Sequence, residues 1–476
     1  MVSPSKTSKR KLEHNAPISP PPLRRKVQST TTQTAVASFF TPTSQKPPEK
    51  IIWQERGPND DTPSTLLVGK YVPSSAPNSD SNDFNTATKR LKVAAFDFDS
   101  TLIQTSSGKK FASDAQDWKW WHSTVPSTLR KLYLEDGYRV VVISNQGGIS
   151  LKADSKAPKS KLGSFKSKVS AVFNQLDIPI SIYAATEKDI YRKPRTGMWS
   201  ELLEDLDIHL PGDVDLENSL FVGDAGGRNA SNGKPKDFSC SDRNFAENVG
   251  IRFHTPEEYF LGEAPREFTR SFEHSEYLTS STTEVLEPFA KKNKLDIVLF
   301  CGSPAAGKST FYWQQLEPLG YARINQDLLK TRDKCIKVAG QYLDEGKSVA
   351  IGMSTAKNSA QFPLAQPLMI NPPDNTNADR EVRSKWVELA AKHSVPIRCV
   401  LFTANPELCE HNDVVRALNN VMNPEKRMIL PSMAFRGFMS RYKKPELNEG
   451  FQDITKVAFR FNGSEAERRI WARHWT

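Results

Sequence analysis

Two short strings, each directly behind a run of apolar residues, constrain this chain more than anything else in it. Asp97-Phe98-Asp99-Ser100-Thr101 follows Val93-Ala94-Ala95-Phe96, and Gly302-Ser303-Pro304-Ala305-Ala306-Gly307-Lys308-Ser309-Thr310 follows residues 295–300 (LDIVLF). A short apolar run ended by turn residues is the pattern of a strand buried on both faces, as in a parallel sheet. Sites in such sheets form beyond the carboxyl ends of the strands. The chain must therefore build two α/β units, each with a chemically loaded string at a strand end. The first string offers two carboxylates spaced by one residue. The second satisfies GxxxxGK[ST], a loop whose backbone N–H groups cradle phosphates.

Further buried-strand patterns at 139–143, 180–184 and 220–222 alternate with helical stretches at 163–176 and 198–206. That alternation predicts a parallel sheet with both faces covered over residues 91–262. Residues 263–293 read as a linker with some packing content (Phe268, Phe272, Tyr277), and 294–476 as the second α/β unit. Residues 1–90 are rich in Ser, Thr, Pro and Lys without periodic hydrophobicity, the composition of a disordered tail. Inside it, Ile51-Ile52-Trp53 is an apolar triplet expected to dock on the following domain as a stray strand.

The formal net charge is +10, but much of it lies in the tail, where Lys6, Lys9, Arg10, Lys11, Arg24, Arg25 and Lys26 face only Glu13. The rest is mildly basic, so charge alone does not argue for a nucleic-acid groove. Lys9-Arg10-Lys11 and Arg24-Arg25-Lys26 form a bipartite nuclear-import pattern, which implies an import receptor as partner and the nucleus as location. The five cysteines are odd in number and lack CxxC or Cys/His spacing. This points to a reducing compartment with neither disulfides nor structural zinc. No apolar run approaches the roughly 20 residues of a membrane span, and no secretory core is present at the start. Gln33, Val36, Phe39 and Phe40 stand at positions one, four, seven and eight of one segment. A helical turn would bring Val36, Phe39 and Phe40 onto one apolar face. The segment resembles the sliding-clamp binding box of replication and repair proteins, which makes a clamp a second expected partner.

In the first unit, Asp97 at a strand end can attack phosphorus, while Asp99 protonates the leaving oxygen and later activates water. Two carboxylates so close call for a divalent cation, and Mg²⁺ suits their oxygen ligands. Three later elements complete the chemistry. Ser144-Asn145 ends the 139–143 strand with groups for phosphate oxygens, Tyr191-Arg192-Lys193-Pro194 brings an ammonium, and Phe221-Val222-Gly223-Asp224 ends a strand with a carboxylate for the metal. Four strand ends in this order resemble the motifs of haloacid-dehalogenase-type phosphatases. The strings ISNQGGI, YRKPRTGMW, FVGDAGGR and KDFSCSDR are similar to those of the polynucleotide kinase 3′-phosphatase family. That resemblance implies Asp97 as nucleophile, Asp99 as acid and base, and Ser144, Asn145, Lys193 and Arg228 as phosphate-binding residues. It implies Asp97, Asp99 and Asp224 as metal ligands. Asp237, Asp242 and Arg243 fall in the fourth motif region, where Asp237 and Asp242 read equally well as loop ion pairs or helix caps.

In the second unit, the residues from Gly302 to Thr310 are expected to bind ATP, with Lys308 bridging the β and γ oxygens and Ser309 on Mg²⁺. Tyr321-Ala322-Arg323-Ile324-Asn325-Gln326-Asp327 looks like the family's NRD element, which implies Asp327 as general base; Gln326 stands where Arg is usual. His411-Asn412-Asp413-Val414-Val415-Arg416 resembles the lid, leaving Arg416 as the single transition-state cation. Asp374-Asn375-Thr376-Asn377 resembles the DNTN segment that should directly follow the strand at 348–351. Instead, 22 residues intervene, 352–373. Such an aperiodic insert between a core strand and its catalytic end is physically awkward. Back-translation permits an intron donor (GTATGT) at Gly352-Met353-Ser354, a branch-like CTAAT in Leu368-Met369-Ile370-Asn371, and an acceptor CAG at Pro373-Asp374. Excision would restore Val-Ala-Ile-Asp-Asn-Thr-Asn. The insert thus reads as a short retained intron of the kind found in fungal genes.

The resemblance covers roughly residues 92–476 and implies hydrolysis of 3′-phosphates and ATP-dependent phosphorylation of 5′-hydroxyls at DNA strand breaks. The forkhead-associated domain of animal members is not visible. Three other readings share some of the motifs: an RNA end-healing enzyme, a 3′-phosphatase whose kinase half is an inactive end-binding module, and a bifunctional sugar kinase/phosphatase. The last would leave the tail motifs unexplained.

Overall fold

The computed structural model describes residues 50–59, 61–73, 90–152, 159–231, 233–278, 288–325, 329, 331–353, 376–423 and 427–476. Outside them lie the two basic clusters, Gln33, Val36, Phe39, Phe40, Asp327, Asp374 and all of the insert beyond Met353.

The first unit contains β1 (Ile51–Arg56), β2 (Leu66–Tyr71), β3 (Lys92–Phe96), β4 (Ile103–Gln104), β5 (Lys119–Trp120), β6 (Tyr138–Asn145), β7 (Ile180–Ala185), β8 (Leu220–Val222) and β9 (Arg252–His254). Its main sheet runs β1-β2-β7-β6-β3-β8-β9. The five strands from β7 to β9 are parallel, and β2 and β1 add antiparallel at one edge. Alternate residues of β3 feed two cores: Ala94 and Phe96 enter one face, Val93 and Ala95 the other. That is what a fully buried parallel strand requires.

The expectation of a tail through residue 90 is corrected here. Ile51-Ile52-Trp53 does dock as a strand, but β2, inside the same stretch, is a core strand: Leu66, Leu67 and Val68 are fully buried. Gly69 leaves room for the Trp53 ring, which a Cβ would meet at 2.6 Å. Arg56 closes the edge by pairing with Glu201 and Asp205, each at 2.7 Å. The two strands are short and set among Pro, Ser and Asp, so overall composition masked them.

The second unit contains β10 (Ile297–Cys301), β11 (Ala322–Asn325), β12 (Val349–Met353), β13 (Ile397–Phe402) and β14 (Ile454–Val457), ordered β11-β12-β10-β13-β14 and all parallel. The central position of β10, with every residue buried, places the glycine loop over the middle of the sheet. The expected linker is partly built into the structure. Phe272 and Tyr277 pack with Leu408, Val415 and Trp471 in a separate apolar cluster.

Candidate functional site

At the carboxyl edge of the first sheet, Asp97 follows β3, Ser144 and Asn145 close β6, and Asp224 follows β8. Lys193 enters from the loop after β7. Its Nζ donates to Asp97 Oδ1 at 2.7 Å, to the Ile143 carbonyl at 2.9 Å, and stands 2.8 Å from Asp242 Oδ1. Asn145 holds the lysine's backbone from both sides, donating to its carbonyl at 3.1 Å and accepting from its N–H at 2.9 Å. Both atoms of the Asn145 amide thus fix the backbone of Lys193. Ser144 is buried, and its hydroxyl accepts from Gln146 Nε2 at 3.0 Å. The same amide donates to Asp99 Oδ2 at 2.7 Å.

Carboxylate oxygens of Asp97, Asp224 and Asp242 lie within 4.8 Å of one another. Burial, then repulsion from Asp242 and Asp97, pushes the Asp224 carboxyl up to about 8. Burial also raises Asp242, against the opposing pull of Lys193. Burial alone would lower the lysine, but Asp242 and Asp97 outweigh it and keep the ammonium charged. Three carboxylates gathered so closely, with Asp224 and Asp242 both pushed up, fit a hard divalent cation with oxygen ligands. Asp99 is not one of these three; its carboxylate accepts from Gln146. Asp242, left open by sequence reasoning, is one of them. Gly223 permits this approach, since a Cβ there would collide with the Asp242 carboxylate.

Arg228, expected on phosphate, is turned elsewhere. Its Nε donates to Asp237 at 2.8 Å, one terminal nitrogen to Glu257 at 2.5 Å and the other to the Asp224 carbonyl at 3.1 Å. Asp237 also accepts from the Gly226 and Arg228 N–H groups. The pair shapes the loop behind Asp224, while Arg243 lies over the Phe268 ring at 3.9 Å. Two exposed aromatics, Phe111 and Phe238, share Lys110, whose Nζ is 5.6 Å from each ring centre. Phe238 directly follows Asp237, so this pair sits on the loops that leave the first and fourth motifs.

In the second unit the loop from Gly302 wraps the end of β10. Gly307 takes φ +96°, a left-handed conformation that favours glycine. Lys308 Nζ donates to the carbonyls of Gly302 (2.7 Å) and Ser303 (2.6 Å), curling over its own loop. Thr376 and Asn377 reach this edge despite the insert. The Gly302 N–H donates to the Thr376 carbonyl at 3.2 Å, and Asn377 Nδ2 to the Phe300 carbonyl at 2.8 Å.

A cavity of about 560 Å³ opens beside the loop, lined by Lys308, Ser309 and Thr310 and by Asn412 and Arg416. Met422, Phe459 and Phe461 add apolar lining. Arg416 is not the single arginine there: Arg427, Arg441 and Arg460 also line the cavity. Arg427 donates to Ser309 Oγ at 3.2 Å. Arg416 pairs with Asp413 at 2.7 Å, and Asp413 also accepts from the Leu430 N–H. The size and the mix of cationic and apolar walls suit a nucleotide.

Fold and sites together define a two-part enzyme of phosphate chemistry, a haloacid-dehalogenase-like phosphohydrolase joined to a P-loop phosphotransferase. Residues 92–260 match the family model for polynucleotide kinase 3 phosphatase, and 297–445 match an AAA domain model. The bifunctional polynucleotide phosphatase/kinase of Schizosaccharomyces pombe is 39% identical over 374 residues, covering 78% of this chain and 81% of that one. A protein of Acanthamoeba polyphaga mimivirus is 31% identical over 412 residues, 80% of this chain and 88% of its own. The polynucleotide 3′-phosphatase ZDP of Arabidopsis thaliana is 33% identical over 182 residues, 36% of this chain and 24% of its own. The chain belongs to the bifunctional polynucleotide phosphatase/kinase family.

Proposed function

We propose that this enzyme removes 3′-phosphates from DNA ends and uses ATP to phosphorylate their 5′-hydroxyls, leaving strand breaks ready for ligation. The observation that carries the reading is the Asp97–Lys193–Asp242 cluster at one sheet edge, joined in the same chain to a P-loop cavity at another. A broken nucleic-acid end is a substrate on which removing one phosphate and adding another both make sense.

In the phosphatase half, Asp97 attacks the 3′-phosphorus, the bond to the sugar oxygen breaks, and Asp99 supplies that oxygen with a proton. Asp99 then takes a proton from water as it attacks the aspartyl-phosphate, releasing inorganic phosphate and regenerating Asp97. Lys193 and Ser144 hold the phosphoryl oxygens; Gln146 orients Ser144 and Asp99 together. Asp97, Asp224 and Asp242 would hold Mg²⁺, which when bound neutralises charge on the phosphoryl group. Phe111 and Phe238 offer exposed faces on which the terminal bases stack.

In the kinase half, Lys308 and the loop N–H groups bind the ATP phosphates, Ser309 would hold Mg²⁺, and the arginines facing the cavity compensate charge in the transfer. Asp327 accepts the proton of the 5′-hydroxyl. The tail motifs support a nuclear enzyme that follows a sliding clamp through Gln33, Val36, Phe39 and Phe40. A DNA oligonucleotide with a 3′-phosphate and a 5′-hydroxyl, incubated with ATP, should lose the first and gain a phosphate at the second. Turnover on RNA ends far above that on DNA ends would replace this reading with RNA healing.

A further inference from the structure

The helix Pro406–Leu418 turns Asn412 and Arg416 towards the nucleotide cavity, and it is fastened at two successive residues to one distant side chain and its backbone. His411 Nε2 lies 3.0 Å from the Trp471 carbonyl, and the Trp471 indole N–H donates to Asn412 Oδ1 at 2.8 Å. Asn412 Nδ2 in turn donates to the Ala305 carbonyl of the P-loop at 3.4 Å. Burial pushes the His411 imidazole down to about 3, so the ring is neutral, and facing a carbonyl its Nε2 must carry the proton. Two neighbouring anchors fix the helix in rotation and in height, and Arg416, one turn beyond Asn412, is set with them. The indole itself cannot swing, since it is buried and stacks on Phe459 at 5.5 Å.

The same segment then grips the phosphatase half. The His474 N–H donates to Asn248 Oδ1 at 2.9 Å, and Asn248 Nδ2 donates back to the His474 carbonyl at 2.7 Å. Asn248 Nδ2 also reaches the carbonyl of Pro194, the residue after Lys193, at 2.9 Å. Arg195 Nε donates to the Trp475 carbonyl at 3.1 Å. A line of hydrogen bonds, broken only by covalent steps along residues 471–475, thus runs from beside Lys193 to the P-loop.

We propose that Trp471 is a positioning residue of the nucleotide site, acting through His411 and Asn412, and that its placement depends on the grip of Asn248 on His474. The proposal rests on reading the P-loop cavity as the ATP site, a reading that Lys308→Ala tests separately.

The test uses the full chain with Mg²⁺ and ATP, and reads ATP affinity by calorimetry beside kinase KM and kcat, phosphatase turnover and melting temperature. Trp471→Phe keeps an aromatic ring and removes the indole N–H. It should weaken ATP binding by about threefold to tenfold, the scale of one lost hydrogen bond. Kinase KM for ATP should rise with it, and phosphatase turnover should stay at the parent value. Asn248→Asp removes both Nδ2 donations and sets a carboxylate against the His474 carbonyl. It should weaken ATP binding in the same direction, although it lies in the other half of the molecule. The two changes combined should cost less than their product, because they act on one path. Parent-like ATP affinity in Trp471→Phe overturns the positioning role, and so does a lower melting temperature with affinity preserved. Parent-like affinity in Asn248→Asp overturns the dependence on the phosphatase half, and that variant decides alone if Trp471→Phe does not fold.

Discussion

Lys193 Nζ and Asp242 Oδ1 stand 2.8 Å apart with both side chains almost completely buried. A buried ammonium needs such a partner, and Asp97 cannot serve alone if it is to be free to attack phosphorus. Asp242→Asn should therefore leave Lys193 under-compensated and open the three-carboxylate cluster. Phosphatase turnover should fall by about two orders of magnitude, the scale for losing one well-placed electrostatic group. Kinase turnover on the same preparation should be unchanged, and parent-like phosphatase rates would assign Asp242 to packing alone.

Asp97→Asn puts a weakly nucleophilic amide where the acyl-phosphate must form. Loss of 3′-phosphatase activity on the order of 10⁴-fold or more is expected, the scale for removing a nucleophile. Its 5′-kinase activity should persist, and trapping with radiolabelled substrate should give no phosphorylated protein.

Lys308→Ala is the mirror experiment. The ammonium that curls over the P-loop carbonyls is lost, ATP binding weakens, and transfer to 5′-hydroxyls should drop below about 1% of the parent rate. The phosphatase has its own sheet and its own two cores, so it should be untouched. Equal loss of both activities in a folded variant would speak for one composite site.

Phe111→Ala combined with Phe238→Ala separates stacking from chemistry. Each lost base–aromatic contact costs about 1–3 kcal/mol, so KM for a 3′-phosphorylated oligonucleotide should rise by about tenfold or more. Hydrolysis of a small aryl phosphate, which has no bases to stack, should keep its rate. A parallel loss on both substrates would place the rings in the structure of the loop rather than on the substrate.

What was legible in the sequence follows a physical pattern. Asp97, Ser144 and Asp224 each sit directly after an apolar run, so strand and site announced each other. Lys193 was carried by its motif. Asp242 had no such herald: it lies in the first turn of the helix Ser241–Val249, and only the fold brings that turn to Gly223. Gln146 and Arg427 were missed for a related reason, since a loop amide and a loop guanidinium have many uses and no spacing rule. Arg228 was over-read: motif position suggested phosphate, but Asp237 and Glu257 take its donors. β2 was hidden because Leu66-Leu67-Val68 is too short to outweigh the polar composition around it.

The insert supplies the last prediction. Gly352, at φ +109° near the end of β12, lies so close to Asn377 that a Cβ on it would be 2.6 Å from Asn377 Nδ2. The chain therefore leaves the sheet edge and returns to the same place, with Thr376 and Asn377 already seated against the P-loop and β10. Without the insert, Asp374 and Asn375 alone would join Ile351 to Thr376. If residues 352–373 are a translated intron, deleting them while keeping Asp374 should close β12 onto the nucleotide site and raise kinase turnover. A displacement of about 1 Å at such a carboxylate can cost on the order of a hundredfold, which sets the expected scale of the gain. Phosphatase turnover should not change, because the insert follows all four of its motifs. Sequencing mature transcripts across the junction checks the same idea independently. Equal kinase rates for the two proteins, or transcripts that encode the segment, would establish a true loop in its place.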